Sequence, residues 1–145
     1  MSTDAKAAAA EVWNAGWGEV QPPAQANEEE KLWGMLANLL GLFFIVGPLV
    51  AWFVKGSSKF VKFYALQMIF LHLAGLAVAI VLGVLFTVLA TVPLVGWLVV
   101  TLISPLFSLA MLAVLVFLAL KAKSGALYKL PALGAIASRA VYEAK

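Results

Sequence analysis

FYALQMIFLHLAGLAVAIVLGVLFTVLATVPLVGWLVVTLISPLFSLAMLAVLVFLAL, residues Phe63 to Leu120, runs for 58 positions without one Asp, Glu, Lys or Arg. Its polar side chains are few: Gln67, His72, the hydroxyls of Thr87, Thr91 and Thr101, and those of Ser104 and Ser108. A helix on a soluble core alternates with a charged face, whereas uninterrupted apolar runs of about 18 residues or more match a bilayer core of roughly 30 Å. The stretch is too long for one crossing. Thr91 to Gly96, with Pro93 and Gly96 as breakers, is the natural turn and gives two spans, about 63–90 and 94–120. Pro105 is expected to kink the second.

Working outward, Leu32 to Val54 is a third apolar run of about 23 residues, roughly 34 Å as a helix. Gly47 and Pro48 interrupt it. We expect one kinked crossing, because each half alone is shorter than a spanning helix; the alternative is a broken hairpin, which makes four helices. The expected fold is thus an all-α integral membrane protein, a small bundle of three transmembrane helices with flanking tails. Composition agrees: of 145 residues 64% are hydrophobic and 12% charged, against about 25% charged in soluble domains. The chain has room for one membrane domain, residues 32–120, and not for a soluble catalytic domain beside it.

Residues 1–31 are expected to be an acidic, disordered tail, with Ala7 to Ala10, a Gln21-Pro22-Pro23 stretch and Glu28, Glu29 and Glu30. Its start lacks the basic and apolar regions of a cleaved signal. Trp13 and Trp17, four apart, would share a face of any helix there and suit a headgroup region. The loop after the first span carries Lys55, Lys59 and Lys62, and residues 121–145 carry Lys121, Lys123, Lys129, Arg139 and Lys145. Three crossings put these two basic segments on one side, cytoplasmic by the positive-inside rule, with the acidic tail outside. A hairpin at Gly47 would bring both ends inside. The lysines suit topology and anionic headgroups, and residues 132–145 are expected to lie along the cytoplasmic surface as a short helix.

Inside the second span Gly75, Ala79, Gly83 and Thr87 recur every four residues, a small-residue stripe that lets another helix approach closely. Ser104 and Ser108 answer on the third. These six are the candidate packing positions, for internal contact or self-association. Asn38, Gln67 and His72 are the candidate polar groups at membrane depth. The residue inventory excludes most chemistry. There is no cysteine and one histidine, so no transition-metal cluster is expected, and no acid lies in the long apolar run to complete a catalytic pair. No glycine-rich phosphate loop occurs. No enzyme activity, catalytic residue, metal, cofactor or nucleic acid is called for; the expected partners are the lipid bilayer, a second copy or another membrane protein.

Glu29-Glu30-Lys31-Leu32-Trp33-Gly34-Met35-Leu36-Ala37-Asn38-Leu39, Gly47-Pro48-Leu49-Val50-Ala51-Trp52, Phe60 to Gln67, and Ser124 to Pro131 resemble the Tic-twenty-like small membrane proteins of bacteria. The resemblance covers about residues 29–137. It implies a small helical bundle in a bacterial inner membrane, of unassigned activity, distantly related to a chloroplast import component. Many of those relatives carry a histidine where this chain has Asn38 and another at Tyr64, which argues against titration at either position. The leading expectation is a structural or assembly component that oligomerises through the Gly75 stripe. The alternative is a transport or translocation helper with Gln67, His72, Thr87 and Ser104 lining a path.

Overall fold

A computed structural model describes residues 16–143. Its main body is all-α and is built on two long helices that are apolar and long enough to cross a membrane: α3 (Lys59–Leu89) and α4 (Val95–Lys123). Ser58 starts α3 by accepting the Val61 amide, satisfying one of the orphan donors of the first turn. The turn between the helices comes where Pro93 and Gly96 predict it. Leu94 there has φ 67°, and Gly96 packs on the Leu89 carbonyl, where a side chain would collide. Pro105 stands inside α4 and denies the Thr101 carbonyl its helical donor, yet the helix continues through it.

Residues 32–54 do not form one kinked helix. α1 (Glu28–Leu39) begins at a capping box, with the Glu30 amide donating to the Asn27 side chain and the Asn27 amide to the Glu30 carboxylate. It ends in a 3₁₀ turn over Leu40–Phe43, and the chain reverses at Phe44, where φ is 59°. α2 (Val46–Val54) then returns. Pro48 sits in the first turn of α2, where a missing N–H costs no helical bond, so it opens a new helix rather than kinking an old one. Gly47 rests against the Leu40 backbone with no space for a Cβ. The return is closed at the ends, where Lys55 Nζ lies 2.5 Å from Glu29 Oε1. The single crossing expected for this segment is therefore corrected to a broken hairpin.

The tail also differs from expectation. Residues 18–20 form β1 (Gly18–Val20), paired antiparallel with β2 (Leu127–Lys129), Glu19 opposite Tyr128. Glu19 Oε2 is 2.5 Å from Lys121 Nζ. The described part of the tail is thus fastened to the segment after α4. Trp13 lies outside the described residues; Trp17 is exposed. After β2 come α5 (Leu133–Ser138) and a π turn (Arg139–Glu143), in place of a free surface helix.

Burial is confined to one end of the long helices. Ala37, Ala51, Phe63, Tyr64, Met68, Leu118, Ala122 and Leu127 form the centre of the core. Between Leu73 and Val114, Gly96 alone is buried.

Candidate functional site

Of the three candidate polar groups, Gln67 belongs to a structural inlay, whereas Asn38 and His72 lie elsewhere. Tyr64 and Gln67, three apart on one face of α3, point at the edge of β2 that β1 leaves free. The Tyr64 hydroxyl donates to the Ala126 carbonyl at 2.5 Å and accepts the Tyr128 amide at 3.2 Å. Gln67 Nε2 donates to the Tyr128 carbonyl at 3.0 Å, and its Oε1 accepts the Leu130 amide at 3.1 Å. Two side chains of a helix thus do the work of a third strand, satisfying backbone groups that β1 leaves open. Gly134 lies close enough to Gln67 Oε1 and Lys129 that a Cβ would collide with both.

Further along α3 the hairpin tip meets His72. Its Nδ1 lies 2.8 Å from the Met68 carbonyl, to which it donates as a protonated nitrogen, and the ring is edge-on to Phe44 at 5.1 Å. A cavity of about 290 Å³ beside it is lined by Gly41, Phe44, His72, Phe107, Ser108 and Met111. Asn38, fully buried, donates from Nδ2 to the Gly34 carbonyl, while its Oδ1 has no partner. α1 presents Gly34, Ala37 and Asn38 to the long helices, and the 3₁₀ turn after it adds Gly41. A Cβ on Gly34 would lie 2.8 Å from the Phe60 ring, and one on Gly41 3.1 Å from both His72 and Met68. This small face is visible in the sequence at spacings of three and four.

That stripe lies mostly outside the packed region. Gly75 meets Met111, with 2.9 Å from its Cβ position to the methionine methyl, whereas the same position on Gly83 meets nothing within 4 Å. Ala79, Gly83, Ser104 and Ser108 line a cavity of about 210 Å³ between α3 and α4. The hydroxyls bond within their own helices: Thr87 to the Gly83 carbonyl, Thr101 to Trp97, Ser108 to Ser104. Gln67 is committed to β2, so Gln67, His72, Thr87 and Ser104 do not line a common path. The alternative transport role loses its geometric basis here.

Charge gathers at the opposite end from the Ala90–Leu94 turn. A third cavity, about 480 Å³, lies there among Gln25, Glu30, Ser57, Lys59, Phe60 and Tyr142. Lys59 Nζ stands 5.9 Å from the Tyr142 ring centre. Burial, helped by the charge of Glu30, holds the Tyr142 phenol above its ordinary range, and burial lowers Lys129. Among the described residues no three His, Asp or Glu side chains group as metal ligands. The arrangement offers fastening and packing, with no assembled acid–base pair or ligand set.

Residues 29–137 match the magnetosome magnetite crystal formation protein family, MamF_MmsF. The match spans the same residues that suggested a Tic-twenty-like protein and overturns that resemblance. No curated protein and no solved structure gives a match.

Proposed function

This chain belongs to the MamF/MmsF family of magnetosome crystal-formation proteins, and from that premise we propose that it is a non-enzymatic structural or assembly component of a membrane at which crystals form. In this reading α3 and α4 cross the bilayer, the α1–α2 hairpin enters it part way and returns, and the β1–β2 ribbon caps the polar end. The Lys55, Lys59, Lys62, Lys121 and Lys123 cluster supports a cytoplasmic place for that end under the positive-inside rule. Lipid covers the open face beside Gly83, and the lysines meet anionic headgroups.

One observation carries the proposal. At the packed end Tyr64 and Gln67 are spent on β2, Glu29 on Lys55 and Glu19 on Lys121, while the far turn of Ala90–Leu94 bears no charge with which to hold iron or mineral. Such a protein acts on a crystal by organising membrane or partners around it.

The test is reconstitution of the full chain in proteoliposomes with ferrous iron. The expected result is no stoichiometric iron binding and no iron flux above empty vesicles, with crystal size altered when the chain is removed from magnetite-forming cells. Saturable iron binding or carrier-like flux would sink the structural reading.

A further inference from the structure

The molecule is unequally thick along its long helices. From the start of α3 to His72 is 13 residues, roughly 20 Å of helix, and Phe44 at the hairpin tip sits against His72. Up to that level α1, α2, α3 and α4 lie side by side, with Gly34 against Phe60 and Ala122, and Gly41 against Met68. Beyond it only α3 and α4 continue, and every described residue from Leu73 to Val114 except Gly96 falls short of full burial. At about 10 Å of diameter per helix, the cross-section falls from four helices to two.

The change of thickness comes near the middle of the bilayer. This step rests on the membrane reading proposed above. Phe63 opens the charge-free run, and His72 is nine residues deeper, roughly 13 Å, against a half-thickness of about 15 Å. The tip itself is apolar and open: Phe43 is 70% exposed, Leu42 and Val46 64% each. A tip of that kind ends in hydrocarbon, since at an aqueous surface it would expose a phenylalanine, a leucine and a valine to water. Four helices therefore displace lipid from the leaflet at the polar end, and two from the opposite leaflet.

We propose that the chain is a membrane wedge whose partner is a curved lipid surface, convex on the polar, β-ribbon side. Excess protein volume in one leaflet is accommodated with least strain where that leaflet is already expanded, as at the outside of a small vesicle or tube. The preference comes from shape rather than charge, so it persists where the lysines have no anionic lipid to meet. It also has a sign: reversing the protein in the same membrane reverses the preference.

The experiment uses the full chain carrying Ser57→Cys, in a protein otherwise free of cysteine, labelled with a fluorophore at that exposed polar-end loop. It is reconstituted in phosphatidylcholine giant vesicles from which narrow membrane tubes are drawn. An impermeant quencher separates molecules with the loop outside from those with it inside. Outward loops should be enriched in the tube about twofold or more, equivalent to about 0.4 kcal/mol, and inward loops depleted. Equal density in tube and vesicle, or enrichment of both orientations alike, would overturn the wedge while leaving the two-span reading intact. Release of the chain from the vesicles by alkaline carbonate would overturn both.

Discussion

Replacing Gln67 with leucine tests whether the inlay fastens the polar cap to the long helices. The substitution nearly preserves volume and removes two hydrogen bonds, leaving the Tyr128 carbonyl and the Leu130 amide without partners. Each buried group left unsatisfied costs about 1–3 kcal/mol, so the two together span roughly 2–6 kcal/mol. Tyr128 and Leu130 are only partly buried, and water at the membrane boundary can serve one of them, which places the expected loss near the low end, about 2–3 kcal/mol. Tyr64→Phe removes the neighbouring pair and should cost a similar amount. Combining them should cost less than the sum, because a ribbon freed by the first change has little left to lose by the second. The assay is unfolding in mixed detergent micelles, followed by helical signal. Alongside it, a disulfide is trapped between Glu19→Cys and Tyr128→Cys. These two face each other across a position where the Tyr128 backbone bonds toward α3 instead of toward β1, a pair spacing that suits a disulfide. Gln67→Leu should lower the stability and slow the trapping. A stability change under about 0.5 kcal/mol, the range of an ordinary surface substitution, with trapping unaltered would refute the inlay as a fastening.

Two further outcomes follow from the packing and the path of the chain. Gly34→Ala should destabilise by about 1–3 kcal/mol through overpacking against Phe60, whereas Gly83→Ala, in open space, should be neutral or stabilising by up to about 1 kcal/mol, with no change in oligomeric state by analytical ultracentrifugation in detergent; the reverse order would contradict both placements. Single cysteines at Gln25 and Ser57, on either side of the hairpin, should label with an impermeant maleimide from one side of the membrane and a cysteine at Thr91 from the other; Gln25 and Ser57 labelling from opposite sides would rule out the hairpin.

The long helices were legible because nothing competes with a charge-free run of that length, and Pro93 and Gly96 mark the turn; the start at Lys59, four residues before the expected one, comes from the Ser58 cap. The hairpin was not legible from hydropathy, since Leu32 to Val54 is as apolar folded back as it is stretched across. What decides it is the position of Pro48 within the first turn of a helix, and the attraction between Glu29 and Lys55, two opposite charges at the two ends of one apolar segment. That pairing was present in the sequence as a signal and points to a return. The ribbon was not readable at all. Three-residue strands carry too little alternation to be seen, and β2 exists because Tyr64 and Gln67, more than sixty positions earlier, complete its hydrogen bonding. The intramembrane glutamine looked like a functional group because its partner is backbone, and backbone partners leave no mark in a residue pattern.

The same logic bears on His72, the one histidine of the chain. A proton relay needs a second group to receive the proton, and no acid occurs between Phe63 and Leu120. Instead the ring has two commitments: Nδ1 at the Met68 carbonyl, and its edge contact with Phe44. Phe44 is the residue whose backbone is held at φ 59°, a conformation that costs a non-glycine residue of order 1–3 kcal/mol and persists only where packing fixes it. Glycine there would remove the strain and also the ring. The aromatic contact with His72 is therefore what makes a strained phenylalanine preferable to a relaxed glycine at the point of reversal, and Gly41, too small to obstruct His72 and Met68, is what lets the contact form. The histidine stops the hairpin at the level where the molecule changes from four helices to two. Its polar nitrogen serves the local helix, and its ring sets the depth.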